Sequence, residues 1–330
     1  AVSNKEVREI KICRQAGGSS YEALVYYPAK RQAHAAVVIT PGLSELGCYH
    51  PGLISLARLM AQMGILVITP DIRIFREFQI SAEPIEEIIF WYQQVPDLAG
   101  STQIKKTGLA GISFSGTLAL LAAARPEIRY QIAFAIAIGP YYDLSRCAQE
   151  WFAPGPVTVG EGHYPTRYYA RWIIMAAALA MLPAAQDRLY LDSLLKALLV
   201  QKPMPQALPD SSEEANRWYR LATMREDRSD LELAEKIQNY LFSRLYSELD
   251  PRPALADLHC PLFLLHGAYD DLIPPRESLE LHQRIKNSYL LISPFLTHTH
   301  PSERPLSLRQ KVRSICETVA FCYQLARAIR

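Results

Sequence analysis

The stretch TGLAGISFSGTLALLAAARP, residues 107–126, decides how the chain folds. An apolar run ends at Ser113, and a helix-like run then continues until Pro126 stops it. The serine at that junction stands among the smallest residues available. A sharp strand-to-helix turn brings backbones close, so the positions two before and two after the serine must be small. They are Gly111 and Ser115, with Gly116 next. The usual pattern is G-x-S-x-G, and Ser115 in its last place departs from it. If Ser115 were the nucleophile, its flanks would be Ser113 and Thr117, which crowd more; Ser113 is the better candidate. The competing reading is that Ser113 only caps the helix that follows.

Similar apolar runs recur on both sides of this stretch. REIKICR (8–14) and YEALVYYP (21–28), separated by the turn cluster QAGGSS, read as an antiparallel hairpin at a sheet edge. AAVVITPG (35–42), ILVITPD (65–71), AFAIAIGP (133–140), PLFLLHG (261–267) and SYLLISP (288–294) are continuous apolar stretches, as in strands buried on both faces. Helical patterns lie between them at 51–64, 83–95, 115–126 and 275–287. In the last segment Leu308, Val312, Ile315, Val319, Cys322, Leu325 and Ile329 recur at steps of three and four, one stripe of a long amphipathic helix. Strands alternating with helices predict an α/β, doubly wound, mostly parallel eight-stranded sheet with helices on both faces. No strand run occurs from 151 to 250. That span reads as a helical cap insertion, leaving 1–150 and 251–330 as the core.

Composition bounds the rest. The chain has 330 residues, 49% of them apolar, and a net charge of +2. Without a basic cluster, no nucleic-acid partner is expected. The six cysteines are scattered and form no C-x-x-C pair, so they read as mostly buried thiols in a reducing compartment, with a cytoplasmic location favoured. The chain begins at Ala1, which leaves open an anchor or signal already removed. WIIMAAALAMLPAA (172–185) is too short for a membrane span and contains Pro183. There is no G-x-G-x-x-G after a strand and no P-loop lysine motif, so no cofactor is expected.

A serine hydroxyl is a poor nucleophile until a base takes its proton. His34, His259, His266 and His282 lie before strands, at a strand end or on a helix, and none is an obvious base. SPFLTHTHP (293–301) differs: it places His298 and His300 in the loop after the last strand. As a metal pair they lack a third and fourth ligand. An acid to orient the imidazole is offered by HGAYDDLIPP, which carries Asp270 and Asp271 past the preceding strand. Asp143, in GPYYDL, is an alternative acid.

Three motifs at strand ends, in the order serine, acid, histidine, resemble the α/β-hydrolase fold superfamily, in its serine esterase and lipase-like branch with a helical lid insertion. GISFSG is similar to the nucleophile elbow. HGAYDDLIPP is similar to the family's acid loop, which implies Asp270 as the acid, and FLTHTHP stands in the place of the histidine loop, with His298 favoured over His300. The resemblance further implies an oxyanion hole formed by the backbone N–H groups of Phe114 and, after TPG, of Leu43. Tyr49, His50, Tyr141, Tyr142, Trp151 and Tyr168 are weaker candidates for lining the substrate. The implied activity is that of a carboxylesterase on a small to medium apolar substrate. A thioesterase, lactonase or peptidase on the same triad is the alternative, as is a non-catalytic binding protein of the fold. The oligomeric state is open.

Overall fold

The computed structural model describes residues 7–100, 104–153, 167–205, 211–225, 227–298 and 301–330. Two compact units emerge. Ala1–Glu77, Ala82–Tyr142 and Pro251–Arg330 form the first; Phe78–Ser81 and Asp143–Asp250 form the second.

The first unit holds eight strands: β1 (Val7–Ala16), β2 (Ser19–Pro28), β3 (Ala35–Thr40), β4 (Ile65–Pro70), β5 (Lys106–Ile112), β6 (Phe134–Ile138), β7 (Leu262–Gly267) and β8 (Ser288–Ser293). They form one sheet in the order β1-β2-β4-β3-β5-β6-β7-β8. β1 pairs antiparallel with β2, and β2 with β4; every other pairing is parallel. All six residues of β3 and of β4 are buried, which requires cover on both faces. The register sets Thr40 opposite Gly111, Ile112 opposite Ile138 and Gly267 opposite Ser293. The carboxyl ends of β3, β5, β6, β7 and β8 therefore finish along one edge, where ligands bind in open α/β sheets.

The early helices of this unit are α1 (Pro51–Gln62), the short α2 (Arg73–Arg76), α3 (Pro84–Gln93), the short α4 (Val95–Ala99) and α5 (Phe114–Ala123). Prolines at the first turns of α1 and α3 cost nothing, since those N–H groups have no intrahelical partner.

The second unit contains α6 (Leu144–Phe152), α7 (Arg167–Ala177), α8 (Ala185–Leu199), α9 (Glu213–Ala222) and α10 (Arg228–Leu249), and no strand among the described residues. Its centre holds Trp218 and an unusual buried arginine, Arg171, only 1% exposed. The Arg171 guanidinium donates from Nε to the Trp151 carbonyl (2.9 Å) and lies 5.0 Å from the Tyr168 ring centroid. Periodicity suggested α7, α8 and α10 but not α9. In EEANRWYRLA only Ala215, Trp218, Leu221 and Ala222 are buried, too few apolar marks to stand out.

The chain returns to the first unit with α11 (Arg276–Arg284) and α12 (Leu308–Ile329), the latter opened by a Ser307–Gln310 capping box. The apolar stripe expected along α12 turns inward only in part. Leu308, Val312, Ile315 and Val319 face solvent, at 53–77% exposure. Of the expected stripe, Leu325 and Ile329 turn inward, and they reach the core together with Phe321 and Ala328, which the stripe did not include. The Phe321 ring stands edge-on to Phe263 (5.8 Å, 85°), and Phe263 stacks on Tyr289 (4.9 Å, 10°). The cysteines differ from expectation too: Cys48, Cys147 and Cys260 are buried, but Cys13, Cys316 and Cys322 are exposed. No described helix is long and apolar enough to cross a membrane.

Phe263 is fully buried and joins β7, β8 and α12. Phe263→Ala should lower unfolding free energy by about 3–5 kcal/mol, and Phe263→Leu by far less. Guanidinium titrations of the three proteins test this; equal midpoints for Ala and wild type would show that the aromatic cluster is not structural.

Candidate active site

Ser113 occupies the turn between β5 and α5 with φ +62° and ψ −132°, a left-handed conformation that a side-chain-bearing residue rarely adopts. Its N–H donates to the Ile138 carbonyl (2.6 Å), and its own carbonyl accepts from Gly116 N–H (2.8 Å). Although it stands at the N-cap position, its side chain makes no capping bond. The need for a small residue two positions earlier is literal. A Cβ on Gly111 would lie 2.1 Å from the Ser115 carbonyl oxygen. Ser115 is fully buried and its hydroxyl is committed: Oγ accepts from Ile112 N–H (3.0 Å) and lies within donating distance of the Thr40 (3.0 Å) and Ile112 (2.9 Å) carbonyls. In the final place of the G-x-S-x-G pattern, it staples β3 and β5 to the start of α5.

His298 reaches the serine from the loop after β8. Its Nε2 lies 2.7 Å from Ser113 Oγ, and its Nδ1 lies 2.6 Å from Asp270 Oδ2. A carboxylate only accepts, so Nδ1 carries the hydrogen and Nε2 is left to accept from the serine hydroxyl. The loop rests directly on the end of β7. A Cβ on Gly267 would fall 1.8 Å from the Thr297 carbonyl oxygen, so no larger residue fits beneath it. His300 lies outside the described residues.

Asp270 is 6% exposed. Its Oδ1 accepts from Leu272 and Ile273 N–H, both at 2.9 Å. Its Oδ2 receives His298 and lies 3.2 Å from His266 Nε2. Burial alone would raise its pKa. The hydrogen bonds and charges of His266 and His298 outweigh that and hold the carboxyl well below the usual carboxylate range. His266 is fully buried, with Nε2 2.7 Å from the Ile273 carbonyl and Nδ1 2.6 Å from Ser278 Oγ. Since a carbonyl only accepts, Nε2 carries its hydrogen toward Ile273 and Asp270. His266 did not stand out as a base in the sequence, and its geometry gives it another part, as a donor behind the acid. The signal available was its spacing, four residues before Asp270 at the end of a strand.

The other candidates fall in varied places. The loop after β3 passes against the serine: a Cβ added to Gly42 would lie 3.6 Å from Ser113 Cβ, and half-buried Leu43 follows. The Phe114 ring is buried, stacked on Tyr141 (5.8 Å, 23°) and edge-on to Phe75 (6.2 Å, 80°). Tyr141 is pinned to α5 through Thr117, whose Oγ1 accepts from Tyr141 N–H and donates to its carbonyl. Tyr142 N–H donates to Glu277 Oε2 (3.0 Å), and Arg284 lies over its ring. Tyr49 is exposed. His50 caps α1, its Nδ1 accepting from Gly52 N–H (3.2 Å). Trp151 and Tyr168 are buried around Arg171 in the second unit. Asp143 caps α6, its Oδ1 accepting from Ser145 and Arg146 N–H. Asp271 is exposed. Of the carboxylates proposed, Asp270 is the one bonded to His298. A hydroxyl, an imidazole and an ionised carboxylate in one line of hydrogen bonds can draw a proton from the serine oxygen.

No protein-family model and no curated protein matches the sequence. Solved structures do. Est1E from Butyrivibrio proteoclasticus is similar over 96% of this chain and 99% of its own, at 14% identity and a TM-score of 0.50. An esterase of Pyrococcus furiosus is similar over 97% of this chain and 90% of its own, at 13% identity and a TM-score of 0.52. An acylaminoacyl peptidase of Pyrococcus horikoshii is similar over 96% of this chain but 41% of its own, at 14% identity and a TM-score of 0.54. With the strand order and the strand–serine–helix turn described above, these likenesses establish that the chain has the α/β-hydrolase fold.

Proposed function

We propose that the protein is a serine hydrolase that cleaves a carboxylic ester through an acyl-enzyme. The observation that carries this reading is the continuous hydrogen bonding from Ser113 through His298 to Asp270. Ser113 Oγ attacks the ester carbonyl carbon while His298 Nε2 takes its proton. Asp270 stabilises the resulting imidazolium and keeps its ring in place. Negative charge gathers on the carbonyl oxygen, where the N–H groups of Phe114 and Leu43 are assigned as donors. The carbonyl re-forms, the alcohol departs with the proton from His298, and the acyl group stays on Ser113. Water then attacks, giving its proton to His298, and the acid leaves as Ser113 recovers its hydrogen.

An ester is favoured as substrate because the Pyrococcus furiosus neighbour is an esterase and Est1E has been captured with ferulic acid bound. The acylaminoacyl peptidase makes an amide the second substrate to try. We extend the proposal to the helical unit as a lid favouring apolar substrates. That role rests on its place in the chain between β6 and β7 and on its aromatic and aliphatic sequence.

Ser113→Ala should lower p-nitrophenyl ester turnover by about three orders of magnitude or more with the thermal midpoint unchanged, and should abolish labelling by a fluorophosphonate. Full turnover in that variant would remove the nucleophile assignment.

His266→Leu takes a donor from Asp270. The carboxylate becomes more basic and holds the imidazolium more firmly, so the acid limb of the kcat/KM profile should move up by about half a pH unit. His266→Gln, which keeps a donor, should move it less. A uniform loss at every pH would mean that His266 only supports packing.

Asp270 also links stability to pH. Its folded pKa is depressed, so its contribution is present above the unfolded value of about 4 and is lost as pH falls toward the folded value. Urea midpoints should drop between about pH 5 and pH 2 in the wild type and drop less in Asp270→Asn. Identical acid slopes in the two proteins would assign the effect elsewhere.

A further inference from the structure

α12 carries a second apolar stripe that the fold does not use. Leu308, Val312, Ile315, Val319 and Tyr323 are 77%, 53%, 54%, 63% and 61% exposed. Spacings of four, three, four and four place them on one line along the helix, about 23 Å long at 1.5 Å per residue. At 100° per residue this line lies opposite the Phe321 and Leu325 face that packs on the core. Isolated exposed apolar residues need no explanation, but five in register along one ridge do.

The charges beside the ridge have one sign. Within Leu308–Ile329 there are four cations, Arg309, Lys311, Arg313 and Arg327, against one acid, Glu317. By the same angular count, Arg309 and Arg327 flank the ridge on one side and Lys311 on the other, with Arg313 further round beside Glu317. Glu317 is paired with Arg313 (2.8 Å). This arrangement disfavours a second copy of the chain as the partner. In an antiparallel helix pair each flank meets its own counterpart, and in a parallel pair the two flanks meet each other. In the parallel pair Lys311 meets the arginine flank, and in the antiparallel pair Arg309 of one copy can meet Arg327 of the other. A surface that is apolar in depth and negative at its boundary satisfies both features at once.

We propose that α12 is a membrane-surface helix that binds anionic lipid bilayers. The five apolar side chains enter the boundary between headgroups and acyl chains, and Arg309, Arg327 and Lys311 reach the lipid phosphates alongside. The helix lies in the interface and does not span it, in keeping with the lack of a described helix long and apolar enough to cross. The proposal does not depend on the chemistry assigned to Ser113.

Co-sedimentation of the full chain with vesicles tests it. Vesicles of phosphatidylcholine with about 30% phosphatidylserine should retain the protein, and phosphatidylcholine alone should retain at least about tenfold less. Retention should fall as sodium chloride rises from about 0.05 M to about 0.5 M. Val312→Glu with Val319→Glu should reduce binding by about tenfold or more. The thermal midpoint and Ser113 labelling should stay unchanged, because both side chains are exposed. Should that pair of changes disturb folding, the lipid-charge and salt series on the wild type still decides. Equal retention by neutral and anionic vesicles, or none by either, overturns the proposal. So does a concentration-dependent dimer in sedimentation equilibrium that Val312→Glu with Val319→Glu abolishes, without vesicle binding by the wild type. That result would assign the ridge to a second copy.

Discussion

Asp270 is a negative charge with almost no water around it. Such a charge is costly to bury unless donors surround it, and the edge of the sheet is arranged to supply them. Two come from the N–H groups of its own turn, at Leu272 and Ile273, and fix the shape of that turn. One comes from His298 on the loop after β8, and one from His266 at the end of β7. Solvating one carboxylate therefore ties three segments of chain together. The same bonds decide the chemistry. Because Asp270 is ionised and acts only as an acceptor, the His298 hydrogen must sit on Nδ1, which turns the bare Nε2 toward Ser113. Gly267 completes the arrangement by letting the Thr297 carbonyl lie on the β7 backbone, so the histidine loop descends far enough to meet the acid.

The serine depends on a different constraint. A serine at a helix N-cap ordinarily takes an extended backbone and turns its oxygen back onto the first helical N–H groups. Ser113 is at that position, yet with φ +62° it makes no such bond. One backbone angle thus separates a capping hydroxyl from one directed at an imidazole. A left-handed residue with a side chain costs about 1–3 kcal/mol, so its neighbours must hold it there. They do so through Ser113 N–H to Ile138, Gly116 N–H to Ser113, and the Ser115 hydroxyl joining Thr40 and Ile112. Ser115 departs from the usual glycine in that place. It stabilises the turn by hydrogen bonding where glycine would have served through small size alone.

These constraints explain which parts of the molecule were legible in the sequence. Continuous apolar runs reveal strands of a parallel sheet because both of their faces are buried, and β3 and β4 are buried throughout. Gly111, Ser113 and the H-G-x-x-D spacing are legible because close approach restricts residue type at short range. His266 was not assigned a part: its spacing from Asp270 is local and visible, but its role as a donor needs Asp270, Ile273 and Ser278 to converge on one imidazole, which only the fold shows. Trp151 and Tyr168 illustrate the opposite problem. Aromatic composition suggested binding residues, but their immediate partner is the buried guanidinium of Arg171. Arg171 itself gave no warning, since an arginine in an apolar segment ordinarily reads as a solvated position.

The last helix shows where periodicity stops being informative. Two stripes at steps of three and four run along α12: Ser314, Thr318, Phe321, Leu325 and Ala328 on one side, and Leu308, Val312, Ile315, Val319 and Tyr323 on the other. The stripe expected from the sequence mixed the two, taking Leu308, Val312, Ile315 and Val319 from the outer line and Leu325 and Ile329 from the side that packs on the core. The first faces inward because β7 presents Phe263 there, and an edge-on Phe321 fills the space above that ring. The helix is thus oriented by that aromatic contact together with the packing of Leu325, Ala328 and Ile329 on the core. The apolar stripe left outside is then a property that the fold tolerates and does not need.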